Sequence, residues 1–226
     1  YNILLLHEPN SLFGISNQVS KCWGLFNLIL SYDQEILKCP NSIFFSFSSM
    51  FFNDIKKYED ILISKNKKFN ISFLCGDKNL IEGHILRQSL YKLKDQIKNP
   101  HEWHYVLDDY DHSTKTRPGY VGTYSKDVSH IPEDWGDDTW GKIPLYKENM
   151  FHVAVENCKQ SNWYTEKISQ AFLSKTIPIY WGCPNLGELG YDERGIIRFN
   201  TKEELKEILD NLSPEDYYSR LEYIEN

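Results

Sequence analysis

The chain has 226 residues, 41% of them hydrophobic and 25% charged, which is room for one large soluble domain or two compact ones. Its net charge of -7 and pI near 5.5 argue against a nucleic-acid groove or an anionic membrane surface as the main partner. No apolar run reaches membrane-spanning length, no signal-peptide pattern precedes the first strand, and five scattered cysteines without a C-x-x-C pair speak against a zinc or redox motif.

In chain order, Ile3 to Leu6 reads as a short apolar strand that runs into His7-Glu8-Pro9. That places the Glu8 carboxylate at a crevice edge, or has it simply cap a turn. Asn10 to Trp23 is polar with weak helical spacing. Phe26 to Leu30 and Ile43 to Phe47 read as two more strands with a short helix, Asp33 to Leu37, between them. The three strands make a small α/β unit. Phe51 to Lys68 mixes charged and aromatic residues and ends in Lys65-Asn66-Lys67-Lys68. It reads as a linker between two lobes, 1–68 and 69–226, with its lysines on a solvated edge.

Phe69 to Leu74 opens the second lobe, and a helix is expected from about Ile81 to Ile97. Its inner face would carry Ile85, Leu86, Leu90, Leu93 and Ile97. Arg87, early in that helix, suits either a surface ion pair with Glu82 or Asp95, or an anion-binding fork. Trp103 to Leu107 is a strand ending in Asp108-Asp109-Tyr110-Asp111. D-x-D at a strand end offers hard oxygens to a divalent metal, although 32 acidic residues make the pattern frequent by chance. From Ser113 to Tyr146 there is no periodicity. There Tyr120, Tyr124, Trp135 and Trp140 suit a sugar or guanine pocket and loop packing equally.

The most informative stretch runs from Phe151 to Asn185. Phe151 to Val155 is an apolar run short enough for a strand buried on both faces, and it stops at Glu156-Asn157. Thr165, an N-cap residue, precedes a helix whose buried face carries Ile168, Ala171 and Phe172. A second run, Ile177 to Trp181, ends at Gly182 and Pro184. Such a strand–helix–strand unit closes as a right-handed parallel crossover. Ligand crevices in open α/β sheets lie beyond the carboxyl ends of the strands, where Glu156, Asn157, Glu166 and Lys167 fall. A cation in the first helical turn, beside free N–H groups, suits a diphosphate, and a nearby carboxylate suits a ribose diol. The plain alternative is a polar loop with Glu166 and Lys167 as a solvated pair. A last strand, Gly195 to Phe199, and two helices, Lys202 to Leu212 and Pro214 to Tyr223, close the chain.

Glu156-Asn157, Tyr164-Thr165-Glu166-Lys167 and Thr176-Ile177-Pro178-Ile179-Tyr180-Trp181-Gly182 with Pro184 resemble the donor-binding signature of the α-1,3-fucosyltransferases, glycosyltransferase family ten. The resemblance implies a GT-B-like α/β fold of two Rossmann-type lobes, the N-terminal one reduced. It further implies inverting, metal-independent transfer of fucose or a related sugar from a GDP-sugar to a hydroxyl of a glycan acceptor. No cofactor is then required and a divalent metal is not expected. Arg87, Glu156, Asn157, Trp163, Tyr164, Glu166 and Lys167 would bind the donor, Trp163 standing where the family carries a different aromatic partner. His7-Glu8-Pro9 with Phe26 to Asp33 resembles the end of the family's acceptor-side domain, which gives Glu8 the role of general base. Eukaryotic members carry a membrane anchor and this sequence shows none, so a cytoplasmic protein of bacterial or viral origin is expected. Two alternatives stand beside this: a metal-dependent GT-A-like transferase using Asp109 and Asp111, and a non-catalytic nucleotide-sugar- or carbohydrate-binding relic.

Overall fold

The structure is a computed structural model that describes residues 1–46, 63–106 and 143–224. Most of the expected linker, the D-x-D aspartates Asp109 and Asp111, and Tyr120, Tyr124, Trp135 and Trp140 lie outside the described residues.

Two separate parallel sheets carry the described chain. The smaller joins β1 (Ile3–Leu5), β2 (Leu28–Ser31) and β3 (Ser42–Phe44) in that order. Its inner face packs Leu4 and Ile29 against Leu6, Ile36 and Val19 of the short helix α2 (Ser16–Cys22), which follows α1 (Asn10–Phe13). β2 begins two residues later than the apolar run, because Asn27 closes back on Asn2: its N–H donates to the Asn2 carbonyl at 2.8 Å, and its side chain accepts the Asn2 N–H at 2.7 Å. The helix expected from Asp33 is a 3-10 turn at Ile36–Lys38. The Asp33 carboxylate accepts from the Glu35 N–H at 2.9 Å, a local bond that favours a turn over a longer helix, and from the Ser16 hydroxyl at 2.7 Å, which ties the turn to α2.

The larger sheet has the order β5-β4-β6-β7-β8, all parallel. Its strands are β4 (Lys68–Gly76), β5 (His101–Val106), β6 (Asn149–Val155), β7 (Ile177–Trp181) and β8 (Ile197–Arg198). Helices α3 (Glu82–Tyr91), α4 (Ile143–Lys147), α5 (Glu166–Leu173), α6 (Lys202–Asn211) and α7 (Pro214–Leu221) cover it. One face packs Phe73, Phe151, Val153 and Ile179 on Leu90, Leu205 and Leu209; the other packs Ala154 and Tyr180 on Ile168 and Leu186. Both faces being covered explains why β6 and β7 are apolar runs without alternation. This mixed α/β arrangement of parallel sheets is the fold class the sequence implies.

The strand order matters for the site. From β4 the chain goes outward to β5, then returns to the other side of β4 as β6. The sheet therefore reverses direction between β4 and β6, and a crevice opens at the carboxyl ends of that pair.

Two expectations change here. The helix containing Arg87 stops at Tyr91, where the chain tightens into a 3-10 turn at Lys94–Gln96. Ile85 is 57% exposed rather than on the inner face, which Gly83 and His84 join beside the expected Leu90. Lys67 does not lie on a solvated edge. Its ammonium donates to the carbonyls of Tyr146 (2.8 Å), Lys147 (2.9 Å) and Asn149 (3.2 Å) and to the Thr176 hydroxyl (2.7 Å). It thereby ties the start of β4 to the starts of β6 and β7, and burial pushes its pKa down to about 7. Among the described residues no helix is long and apolar enough to cross a membrane.

Candidate active site at the carboxyl end of β6

β6 ends at Val155, and the next two residues organise everything around them. Glu156 is fully buried. Its carboxylate accepts from the Thr165 N–H at 2.9 Å and the Thr165 hydroxyl at 2.7 Å, with Lys167 Nζ at 3.6 Å. Burial raises its pKa, and Lys167 and the Thr165 donors pull the other way. Thr165 is in turn the N-cap of α5, as its type predicts, and accepts from the Lys167 N–H. Glu156 thus anchors the first turn of α5 from beneath.

Asn157 faces α3. Its carbonyl accepts the Gly83 N–H at 2.9 Å, and its side-chain oxygen accepts from Arg87 Nη2 at 2.9 Å. Arg87 Nη1 donates to the carbonyls of Val155 (2.6 Å) and Glu156 (3.3 Å). A guanidinium has about five N–H donors, so among the described residues part of the Arg87 fork is left without a partner. Burial lowers the Arg87 pKa, and the Glu156 charge opposes that; an arginine stays charged under either influence.

Lys167 Nζ donates to Thr165 Oγ1 at 2.9 Å and to Glu166 Oε1 at 3.2 Å. Burial works against its charge, but Glu166 and then Glu156 outweigh it and hold the pKa above the usual lysine range. The Arg87 charge is close enough to lower the proton affinity of Lys167. The two cations therefore sit on either side of one strand end, Arg87 from α3 and Lys167 from α5.

Glycine makes this packing possible at two places. A Cβ on Gly83 would collide with the Glu156 carbonyl oxygen and stand 2.6 Å from that of Asn157. A Cβ on Gly182 would run into the Glu156 side chain and stand 2.5 Å from the Tyr180 hydroxyl. Gly83 was not singled out by sequence reasoning. The available signal is a glycine in the first turn of a helix, which weakens the helix unless something approaches closely.

His84, also unforeseen, is buried beside the same cluster, and its Nδ1 has no hydrogen-bond partner among the described residues. Burial first, then Arg87, Lys78 and Lys167, push its pKa down to about 4.

The remaining predicted residues are placed differently. Trp163 is buried against Tyr32 and Cys158, and its indole N–H donates to the His7 carbonyl at 2.9 Å. Tyr164 packs edge-on against Tyr191, ring centroids 5.3 Å apart. Glu8 lies beyond the end of β1 in the smaller lobe, its side chain 42% exposed with His7 Nδ1 at 3.9 Å. The structure brings Arg87, Glu156, Asn157, Glu166 and Lys167 into one cluster, and Trp163 joins that cluster's loop to the peptide carrying Glu8. Among the described residues no group of three or more His, Cys, Asp or Glu could hold a metal ion.

Comparisons with known proteins point the same way. No family model matches the chain. A segment of 53 residues is 36% identical to the α-(1,3)-fucosyltransferase FucT of Helicobacter pylori, covering 24% of this chain and 11% of that protein. Over 97% of its length the chain superposes on the crystal structure of an α1,3-fucosyltransferase with GDP-fucose, TM-score 0.57 at 16% identity. It superposes similarly on a second crystal structure of an α1,3-fucosyltransferase and on one with GDP, each at TM-score 0.55, with 15% and 14% identity. The chain spans 65%, 69% and 64% of those three structures. The likeness to α1,3-fucosyltransferases seen in the signature residues thus extends to a short alignment and to the fold of nearly the whole chain.

Proposed function

We propose that the chain is a glycosyltransferase that moves fucose, or a related sugar, from a GDP-sugar donor to a hydroxyl of a glycan acceptor. The observation that carries this reading is the placement of Arg87 and Lys167 on two helices that meet at the carboxyl end of β6, at the sheet's reversal point. A diphosphate there would meet the unused donors of the Arg87 fork and the charge of Lys167. Glu166, released from Lys167 by the incoming phosphate, would take a ribose or sugar hydroxyl. Glu156 and Asn157 then act from behind, holding Lys167 and Arg87 in place.

The division of labour follows the two lobes, taken as 1–68 and 69–226. The larger binds the nucleotide; the smaller presents Glu8 as the general base. Glu8 takes a proton from the acceptor hydroxyl, whose oxygen attacks the anomeric carbon from the face opposite the nucleotide. The bond to the departing GDP oxygen breaks, and the configuration inverts. Negative charge grows on the diphosphate, where fixed cations stabilise the transition state most. With two such cations, the reaction proceeds without a divalent metal, and turnover is expected to survive EDTA.

The likeness to structures holding GDP-fucose and GDP supports the choice of nucleotide. A thermal-shift screen tests it: a ligand that binds only the native state raises the midpoint by mass action. GDP and GDP-fucose should raise it while UDP and UDP-sugars leave it in place. A larger shift with UDP would overturn the donor assignment.

A further inference from the structure

We propose that Tyr32 and Trp163 are positioning residues for the candidate base, gripping the His7-Glu8 peptide from two sides and so setting where Glu8 stands relative to the donor cleft. This rests on the reading of Glu8 as base.

The geometry is a pair of ring donors on two successive carbonyls. The Tyr32 hydroxyl donates to the Glu8 carbonyl at 2.7 Å, and the Trp163 indole N–H to the His7 carbonyl at 2.9 Å. The donors come from segments far apart in the sequence that meet in one cluster. Tyr32 follows β2 in the smaller lobe, whereas Trp163 lies on the loop between β6 and α5, two residues before the cap Thr165. Both rings are buried, with centroids 6.5 Å apart, and Cys158 completes their cluster. Neither hydroxyl nor indole N–H can leave its carbonyl without stranding a buried polar group.

The loop carrying Trp163 is itself pinned. Asn162 adopts φ 64, a left-handed conformation uncommon outside glycine. Its N–H donates to Asn185 Oδ1 at 2.8 Å, its Oδ1 accepts from Asn185 Nδ2 at 2.9 Å, and its Nδ2 reaches the Tyr32 carbonyl at 3.3 Å. One continuous set of bonds therefore runs from Asn185 through Asn162, Trp163 and Tyr32 to the backbone of Glu8.

The Glu8 side chain needs such a frame. It is partly exposed, and His7 at 3.9 Å is too distant to fix it by a hydrogen bond. Its location is set by its backbone, and its backbone is set by two rings. A base displaced by about 1 Å from its acceptor can lose up to about 100-fold in rate.

The test compares Tyr32→Phe, which removes only the hydroxyl, with Trp163→Phe, which keeps an aromatic ring but loses the N–H donor together with the second ring of the indole. GDP stoichiometry by calorimetry counts folded, donor-competent sites. Turnover of GDP-fucose with acceptor is then expressed per GDP-binding site. We expect each variant to lose about tenfold or more in kcat per site, with GDP affinity and donor KM within twofold of wild type. A purely structural role would lower stoichiometry and total turnover in parallel and leave kcat per site unchanged; that result overturns the proposal. Glu8→Gln separates the two levels. If Glu8→Gln turns over like wild type, the base assignment fails and this inference falls with it. If Glu8→Gln is inactive while both ring variants keep full kcat per site, the base stands and the positioning role is wrong.

Discussion

The two sheets of this chain are built to different standards. In the larger one, β6 and β7 are buried along their whole length, and helices cover both faces. In the smaller one, the inner face has a core, but the outer face shows Ile3 and Ile43 each 57% exposed and Leu5 40% exposed. These side chains share that face because β1, β2 and β3 pair in register, Leu5 beside Leu30 beside Ile43. A parallel sheet is ordinarily covered on both sides. The difference teaches where rigidity comes from. The donor end is held by a dense, two-sided core, whereas Glu8 depends on a few hydrogen bonds at the seam between the lobes.

The sharpest way to break that contrast is at the buried ion pair. Lys167→Met leaves the Glu156 carboxylate buried with its cation removed, which should cost about 3–5 kcal/mol of stability by urea unfolding. Adding Glu156→Gln keeps an acceptor for Thr165 and should recover much of the loss. A double variant no more stable than the single one would show that the pair is not what holds this end together.

Next in size is a pair of glycines, one from each lobe. In Gly83→Ala the new methyl meets backbone oxygens of Glu156 and Asn157 that cannot swing away, so the expected cost is about 3 kcal/mol, with GDP binding weakened. Gly24→Ala, with open space around its Cβ in the smaller lobe, should stay within about 0.5 kcal/mol. Equal effects at the two positions would contradict the difference in packing.

Lys67→Met tests the opposite end of the large sheet's strands. Several buried acceptors at the starts of β6 and β7 would lose their shared donor, for an expected loss of about 1–3 kcal/mol. Because Lys67 lies at the other end of the strands from Glu156, GDP affinity should be retained. Loss of affinity without loss of stability would contradict this.

A further test is a pH dependence. The unfolded chain protonates His84 near its ordinary 6.5, whereas the folded chain resists until about 4. The unfolded state thus binds more protons in that interval, and His84 contributes stability above pH 6.5 that is lost as pH falls toward 4. His84→Gln should flatten the decline in unfolding midpoint between those values. An unchanged slope would place the acid sensitivity elsewhere.

How much of this was legible beforehand follows the same divide. The strand–helix–strand unit from Phe151 to Trp181 could be read directly, because buried parallel strands and a Thr N-cap write themselves into adjacent residues. The meeting of Arg87 with Glu156 and Asn157 needed the strand order, which local pattern does not contain. Helix periodicity put Ile85 inward beside Leu90; the close approach of Gly83 to the end of β6 turns the helix so that His84 faces in with Leu90 and Ile85 does not. The clustered lysines before β4 look solvated in sequence, yet the start of a central strand carries Lys67 beneath three other segments. In the smaller lobe, strands of three or four residues start where Asn2 and Asn27 clasp, a contact between residues far apart in sequence. Trp163 likewise reads as part of the donor loop, and only the fold shows that its N–H reaches the other lobe.

The central claim is that the carboxyl end of β6 grips a diphosphate, and calorimetric titration of the unmodified chain with GDP and with guanosine tests it most directly. The account predicts that GDP binds at least about 100-fold more tightly than guanosine and loses that advantage as salt rises. Equal affinity for the two, independent of salt, would contradict it.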